Sequence, residues 1–342
     1  MLKVTLFSRK VCHLCDEAET ALQALGDRFP HELVIIDIDG DQALEAAYGI
    51  DIPVVEVGPY ILKAPFNERD LAMTLGAAQD REKQLTSVGD QGYQKRLERG
   101  RNISGADRFA WWFSKRYMLV FNLFVLIYVG LPVLAPVFQR AGITAPANAI
   151  YWAYSGLCHQ LSYRSFFIFG EQPIYPRAAA DIDGYQTFNE ATGLDENTLI
   201  PARQFVGNDQ VGYKLALCQR DMAIYGAMLF FGVLFVLTGR QIKALPWWIW
   251  VLLGLFPIGL DGGSQLVGMF VSAFEGSFWE TLAQFFPPRE STPFLRVLTG
   301  FLFGFTTAWF GYPLVEETMV ETRLMLTKKF AHVNRGAESV ER

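Results

Sequence analysis

Two cysteines near the amino terminus, Cys12 and Cys15, have the spacing of a redox-active thiol pair. They follow the apolar run at residues 4–8, which predicts a strand, and they precede a segment with helical periodicity. A cysteine at the start of a helix meets unpaired backbone N–H groups and the positive end of the helix dipole, which favour the thiolate over the thiol. The sequence therefore predicts thiol–disulfide chemistry at this turn.

In this hypothesis Cys12 is the nucleophile, and Cys15 resolves the mixed disulfide from the same helical turn. Arg9 and Lys10 precede the pair, and their charges are expected to lower the pKa of the thiol. His13 is expected to shift the pair toward the oxidising side. The alternative is half of a zinc site, because Cys-x-x-Cys is also a zinc-binding spacing. The first 110 residues contain no second ligand pair, which favours redox chemistry.

A second set of polar and ionisable residues surrounds the other two cysteines, in the apolar second half of the chain. Its members are Cys158, His159, Gln160, Arg164, Cys218, Arg220, Asp221, Asp261, Gln265 and Arg296. Ionisable side chains near lipid are costly, so they are usually paired with one another or functional. On the span assignment given below, all of them lie at the outer membrane face.

Three interpretations of this set stay open. In the first, Cys158, His159, Cys218 and Asp261 bind zinc or another transition metal, for which mixed S, N and O ligands are suitable. In the second, Cys158 and Cys218 form a disulfide or a switchable dithiol on the oxidising side of the membrane.

In the third interpretation the set is a structural polar cluster, and the cysteines are merely buried. Its ion pairs would hold the ends of helices together. The residues assigned to this cluster are Arg164, Arg220, Asp221, Gln265 and Arg296, with Asp261 as a further acidic partner.

Composition excludes several classes of protein. The chain has 342 residues, of which 51% are hydrophobic and 14% aromatic, so it is too long for one small domain and too apolar for an ordinary soluble one. Its net charge of −5 and dispersed basic residues give no support for nucleic-acid binding. Four cysteines do not make a disulfide scaffold, and the amino terminus lacks the apolar core of a signal peptide.

The elements that position the first cysteine pair are predicted to alternate between strand and helix. We expect strands at residues 2–8, 32–38, 52–57 and 60–63, and helices at 13–26, 41–48 and 67–77. This order, with the thiol pair after the first strand and Ile52-Pro53-Val54-Val55 at the third, resembles the thioredoxin/glutaredoxin fold over residues 1–80. The resemblance implies that Pro53 is cis, lies beside the thiol pair and receives a substrate segment. Cys-His-Leu-Cys is similar to a little-characterised glutaredoxin-like branch, which gives no basis for assigning glutathione as a cofactor.

Four uncharged stretches are each 17 to 22 residues long, enough to cross the hydrocarbon core of a bilayer. They are residues 117–138, 222–239, 244–260 and 297–315. Residues 141–163 are also uncharged but interrupted by polar residues, and they form the alternative fifth span. With four spans and a cytoplasmic amino terminus, the cytoplasmic segments carry 16 Lys and Arg in 68 residues, against 8 in 119 on the other side. The positive-inside rule therefore favours four.

The predicted organisation is an α/β thioredoxin-like domain followed by an all-α transmembrane bundle. The domains are residues 1–80, a linker and juxtamembrane helix at 81–116, a membrane domain at 117–316 with an external loop or cap at 171–215, and a frayed cytoplasmic tail at 317–342. Gly300 and Gly304 have the small-xxx-small spacing that lets two membrane helices approach closely. We expect a multi-pass protein of the bacterial inner membrane, with both termini cytoplasmic.

The motifs Cys-His-Gln, Cys-x-Arg-Asp and Asp-Gly-x-x-Gln, at residues 158–160, 218–221 and 261–265, are similar to those of an uncharacterised bacterial family of multi-spanning membrane proteins. Two functions are compatible with this organisation. The first is a membrane-anchored thiol–disulfide redox protein that acts on protein or small-molecule thiols and disulfides. The second is a redox-sensing or metal-binding or small-molecule-binding scaffold or transporter without oxidoreductase turnover.

Overall fold

The structure of the chain, a computed structural model, divides into two compact units. It describes residues 2–88, 92, 95, 98–100, 102–274, 276–287 and 289–340, without the side chains of 42, 43, 277 and 335–340. The first unit comprises Met1–Arg116 and Glu317–Arg342, and the second comprises Tyr117–Glu316. Several positions of the predicted linker, and the last two residues of the predicted tail, lie outside the described residues.

The first unit contains a four-stranded sheet with helices on both sides. Its elements are β1 (Leu2–Ser8), α1 (His13–Ala24), β2 (His31–Asp37), α2 (Gln42–Tyr48), β3 (Val54–Val57), β4 (Tyr60–Lys63) and α3 (Glu68–Val88). The sheet order is β2-β1-β3-β4, in which β1 runs parallel to β2 and antiparallel to β3. The predicted thioredoxin-like fold is confirmed. The last helix is longer than expected, since it continues beyond residue 77.

Period-two alternation gives the sheet two different faces. Val4 and Leu6 of β1 lie in a core cluster with Leu22 of α1 and Leu75 of α3. Phe7 lies in a second cluster on the opposite face. Thr5 and Glu56 also belong to that opposite face, and they are direct cross-strand partners, so two polar side chains interrupt an otherwise apolar surface.

The carboxy-terminal helix supplies the partners of these two polar residues. Lys328 donates to both carboxylate oxygens of Glu56, at 2.9 and 2.6 Å, and an imidazole nitrogen of His332 lies 2.9 Å from the hydroxyl of Thr5. Leu324 and Ala331 pack against the apolar cluster that contains Phe7. The expectation of a frayed tail is therefore wrong, because the tail covers one face of the sheet.

Helices dominate the second unit, and a small sheet accompanies them. Its elements are α4 (Gly105–Arg140, which begins in the first unit), α5 (Thr144–Ser155), β5 (Ser165–Ile168), α6 (Phe188–Thr192), α7 (Leu199–Gln204), β6 (Gly207–Asn208), β7 (Gly212–Cys218), α8 (Gln219–Leu237), α9 (Trp247–Ser272), α10 (Ser277–Phe285) and α11 (Pro293–Val340, which ends in the first unit). Helix α9 includes a π-helical stretch at Val251–Leu255.

Four helices among the described residues are long and apolar enough to cross a membrane, which confirms the predicted number of spans. They are Gly105–Arg140, Gln219–Leu237, Trp247–Ser272 and Pro293–Asn334. The alternative fifth span at 141–163 is not one of them, since only Thr144–Ser155 is a continuous α-helix. The predicted juxtamembrane helix merges with the first span, which begins at Gly105.

The segment between the first two spans includes a folded cap, residues 165–218, where sequence analysis predicted a loop or small cap at 171–215 and no strands. Its three-stranded antiparallel sheet has the order β5-β7-β6. Phe167, Tyr175, Phe188 and Val211 bury their side chains together beneath it. The second unit is therefore not all-α.

Two glycines of α11 allow close contact with α8. A Cβ atom added to Gly304 would overlap the backbone carbonyl of Ile224, and one added to Gly300 would lie 2.8 Å from the carbonyl oxygen of Arg220. The small-xxx-small spacing therefore does bring two helices together within the unit, as expected.

A substitution at Leu324 tests the docking of the tail. Leu324→Asp is expected to destabilise the first unit by about 2 kcal/mol, because it places a carboxylate against an apolar cluster. Met325, the next residue, is 63% exposed, so Met325→Asp is the matched control and should have little effect. Thermal unfolding and limited proteolysis of the full chain in detergent measure both. Equal effects at the two positions would contradict the docking.

A second pair of variants tests the helix contact. Gly304→Ala is expected to destabilise the second unit by about 1–3 kcal/mol, because the new methyl group meets the backbone at Ile224. Gly311 lies on the same helix and has nothing within 4 Å of an added Cβ, so Gly311→Ala should be neutral or slightly stabilising. Thermal unfolding in one detergent compares the two, and a neutral Gly304→Ala would refute the contact.

Candidate functional site

The first candidate site is the Cys12–Cys15 disulfide at the start of α1. Cys12 is the N-cap residue of the helix, and the backbone N–H of Cys15 donates to its sulfur at 3.3 Å. Cys12 is partly exposed, whereas Cys15 is only 1% exposed. An external thiol therefore reaches the sulfur of Cys12 first, and the N-terminal backbone donor stabilises negative charge on that sulfur.

The charged residues around the pair differ in role from the expectation. The guanidinium of Arg9 donates to the carboxylate of Asp39 at 3.0 Å, so Asp39 offsets the positive charge expected to act on the thiol. His13 lies 3.0 Å from Glu17, one turn along the helix. Lys10 is exposed to solvent, where its field is screened. Helix-start hydrogen bonding thus contributes more to thiolate stabilisation than Arg9 does.

A groove adjoins the disulfide at the predicted proline. The Ile52–Pro53 peptide bond is cis, as the sequence resemblance implied. Pro53 lines a cavity of about 320 Å³ together with Leu14, which lies between the two cysteines. Phe66 is a further apolar wall residue, while Glu17 and Glu68 contribute the only ionisable side chains of the lining. The groove is suited to an extended, mainly apolar segment.

The second candidate site is a cavity of about 260 Å³ in the second unit, where most of the predicted polar set meets. Its polar lining residues are Cys158, His159, Gln160, Arg164, Cys218, Arg220, Asp221, Gln265 and Arg296. They come from the loop after α5, the junction of β7 with α8, the middle of α9 and the start of α11. Residues far apart in the sequence therefore form one site.

Cys158, Cys218 and Asp221 converge within this cavity. One potential ligand atom from each, the two sulfurs and a carboxylate oxygen, lies within 4.8 Å of the other two. The thiol of Cys218 donates to Asp221 at 3.1 Å. Cys218 is the residue before α8 and Asp221 lies in its first turn, so an i, i+3 spacing brings their side chains to one side of the helix.

Two residues of the predicted metal set do not join this group. His159 is exposed and lines the cavity without belonging to the converging three. Asp261 is buried inside α9, where its carboxylate accepts hydrogen bonds from Arg220, from Arg289 at 2.5 Å and from Ser291 at 2.7 Å. The set Cys158, His159, Cys218 and Asp261 is thus corrected, and Asp221 takes the place of Asp261. Asp221 had been assigned to the structural cluster.

Cys158 is held in place by the residue two positions after it. Gln160 has a positive φ of 52°, and its backbone N–H donates to the sulfur of Cys158 at 3.4 Å. Its side-chain amide donates to the carbonyls of Tyr151, at 2.9 Å, and Ala216, at 3.0 Å. The loop is therefore fixed to both α5 and β7.

Lys214 completes the support of this loop from below. Its ammonium nitrogen lies 2.7 Å from the carbonyl oxygen of Gln160, 2.6 Å from that of Arg203 and 3.3 Å from the hydroxyl of Ser162. The side chain is almost fully buried, and this burial lowers the pKa of Lys214 to about 7. Lys214 is a positioning residue for the cysteine loop.

A buried carboxylate that sequence analysis missed joins the cap to α11. Glu290 accepts a two-pronged hydrogen bond from Arg164, at 2.9 and 3.1 Å, a third from Arg177 at 3.3 Å, and one from Arg296. The predicted ion-pair role of Arg164 and Arg296 fits this arrangement, but their partner is Glu290. The available signal was an acidic residue just before the last span.

Two family models match separate parts of the chain. The model described as "Glutaredoxin-like domain (DUF836)" matches residues 3–76, and the model described as "Predicted membrane protein (DUF2085)" matches residues 201–310. The chain joins a glutaredoxin-like domain to a membrane protein domain. The first match includes both cysteines of the disulfide, and the second includes Cys218, Asp221 and Arg296.

Similar proteins include one curated relative and one solved structure. An uncharacterized protein of Methanocaldococcus jannaschii is 26% identical over 224 residues, which are 64% of this chain and 99% of the relative. The X-ray structure of a structural genomics target protein from X. campestris is 37% identical, covering 22% of this chain and 96% of that one, with a TM-score of 0.20. The glutaredoxin-like domain and the apolar helices make this a membrane-associated, thioredoxin-like protein.

Replacement of Lys214 tests the support of the cysteine loop. Lys214→Met is expected to destabilise the second unit by about 2–3 kcal/mol, because it leaves the buried carbonyls of Gln160 and Arg203 without a donor. Lys243→Met, at an exposed position of the same unit, is the control. Chemical unfolding in detergent measures both variants, and a neutral Lys214→Met would refute the positioning role.

The pH dependence gives a second readout of the same lysine. Its pKa of about 7 in the folded chain lies below the ordinary value of 10.5, so the unfolded chain binds more protons between these two pH values. Stability therefore rises with pH from about 7 to about 10, and the full penalty of burying the charge applies below pH 7. Unfolding curves recorded across this window should show the rise in the wild type and lose this component in Lys214→Met.

Proposed function

We propose that the protein is a membrane-anchored thiol–disulfide oxidoreductase whose active pair is Cys12 and Cys15. The observation that carries this proposal is the disulfide at the start of α1, with one accessible sulfur and one buried sulfur. Unequal access assigns the two roles of an exchange reaction, because the outer sulfur meets the partner and the inner sulfur completes the exchange.

The reaction is a two-electron exchange between two disulfides. In the reduced protein the thiolate of Cys12 attacks a substrate disulfide, forms a mixed disulfide and releases one substrate thiolate. The thiolate of Cys15 then attacks the sulfur of Cys12, which releases the second substrate thiolate and closes the Cys12–Cys15 bond. The substrate is reduced and the protein is oxidised, and an external thiol reductant reverses the change in the protein.

Protein or peptide disulfides are the substrates that we propose. The groove beside Pro53 is apolar, and its two ionisable lining residues, Glu17 and Glu68, are both acidic. An extended apolar peptide segment fits such a lining. Glutathione carries two carboxylates and finds no basic partner among the lining residues, so the groove does not favour it as the partner.

We further propose that the protein lies in the bacterial inner membrane with both termini in the cytoplasm. Excess positive charge before the first span and after the last supports this orientation. The tail at Glu317–Arg342 belongs to the same compact unit as the amino-terminal domain, which is compatible only with an even number of spans between them.

Single-cysteine variants test the exchange reaction. With the full chain in detergent and a disulfide-containing peptide as substrate, Cys12→Ser is expected to reduce turnover at least a hundredfold, because it removes the nucleophile. Cys15→Ser is expected to accumulate a mixed disulfide with the peptide that mass spectrometry detects, because no resolving thiol remains.

Cys158→Ser, in the other unit, is the control and should keep full exchange activity. A wild-type protein without turnover, and without a trapped intermediate in Cys15→Ser, would refute the oxidoreductase. It would favour a redox sensor or binding scaffold instead.

A further inference from the structure

The cavity of the second unit carries a chemistry separate from disulfide exchange. We propose that Cys158, Cys218 and Asp221 bind a thiophilic divalent metal ion, Zn²⁺, as three protein ligands with the fourth position open to the cavity. This site goes beyond the proposed oxidoreductase, and it uses none of the residues of the Cys12–Cys15 pair.

The donor set is the first argument. Two thiolates and a carboxylate are ligands that zinc prefers, and tetrahedral ligands at about 2.3 Å leave about 3.8 Å between their donor atoms. The sulfurs of Cys158 and Cys218 and a carboxylate oxygen of Asp221 already lie within 4.8 Å of one another. Small side-chain rotations therefore bring all three to ligand distance, with release of the two thiol protons.

The partners of the neighbouring carboxylates are the second argument. Glu290 is paired with three arginines and Asp261 with two. Asp221 forms no ion pair with any side chain in the described part of the chain, although Arg220 is its sequence neighbour. Its hydrogen bond comes from the thiol of Cys218, which places a carboxylate at a pair of thiols. A structural disulfide has no use for such a carboxylate, whereas a cation needs it.

The rigidity of the loop at Cys158 is the third argument. Gln160 and Lys214 fix its backbone through buried hydrogen bonds, and Cys218 is fixed by its place between β7 and α8. Ligands held this firmly lose little entropy when a metal binds. Gln219 belongs to the same framework, since its side chain donates to the carbonyl of Ser165 at 3.1 Å.

The cavity determines the fourth ligand. Arg164, Arg220 and Arg296 line it, and no further acidic residue than Asp221 appears among its lining residues. Two thiolates, one carboxylate and Zn²⁺ sum to a charge of −1, which the surrounding guanidinium groups offset. A space of about 260 Å³ beside the metal admits water or a small anion such as carboxylate or phosphate. Three protein ligands with one open position are typical of zinc sites that bind or activate a ligand.

The test uses the full chain with Cys12→Ser and Cys15→Ser, so that the first pair cannot bind metal and the oxidoreductase is absent. The protein is purified in detergent under reducing conditions. Elemental analysis after dialysis against zinc is expected to give one zinc per chain, and cobalt substitution is expected to give the sulfur-to-cobalt charge-transfer bands of thiolate ligation. Absence of both would overturn the proposal.

Variants in this background identify the ligands. Cys158→Ser and Cys218→Ser are expected to lose the charge-transfer bands or reduce their intensity, and Asp221→Asn is expected to weaken zinc affinity at least tenfold in competition with a chromophoric chelator. His159→Ala, at an exposed position of the cavity, is the control and should retain zinc. Thermal unfolding of each metal-free variant shows that its fold is intact.

Two outcomes replace the proposal by another. A Cys158–Cys218 disulfide recovered by peptide mapping from protein purified without reductant, together with no zinc in the reduced protein, would assign a dithiol. Zinc that Asp221→Asn retains and His159→Ala loses would refute Asp221 as a ligand. Neither result bears on the exchange activity of Cys12, which is measured on the chain with its native cysteines.

Discussion

The second unit depends on the neutralisation of two buried carboxylates by five arginines. Glu290 and Asp261 lie where α9, α11, the start of α8 and the cap approach one another, and each would be very costly to bury alone. Because their arginine partners come from different segments, the segments can bury these charges only when they are brought together. The same pairing aims Arg220 and Arg296 at the cavity and fixes the helix start that carries Cys218.

The two candidate sites use one local geometry with different chemistry. Cys12 and Cys218 are each the N-cap residue of a helix, and a second functional group follows three residues later in both. At α1 that group is the thiol of Cys15, so the turn can close a disulfide. At α8 it is the carboxylate of Asp221, which cannot bond to sulfur but can share a cation with it. A single exchange of side chain thus separates redox chemistry from coordination chemistry.

Local patterns were enough to predict the thioredoxin-like domain and the four spans, since strand alternation, the Cys-x-x-Cys turn and uncharged length are all features of short segments. Partner choice was not predictable in this way. Asp261 and Asp221 look equally suited to the cysteines in sequence, and only the i, i+3 relation to Cys218 and the arginines around Asp261 distinguish them. The strands of the cap are short and carry mixed composition, so periodicity did not reveal them. The docked tail had one unread signal, since Thr5 and Glu56 are polar residues on an otherwise apolar sheet face.

Coverage of that sheet face by the carboxy-terminal helix has a consequence for biosynthesis. The ribosome completes β1 to β4 roughly 260 residues before it reaches Leu324 and Lys328. At about 5–20 residues per second, the nascent domain waits on the order of tens of seconds with Phe7 and its neighbours uncovered. Chaperone engagement during this interval, or early association with the membrane surface, is therefore a requirement that the order of the chain itself imposes on the cell.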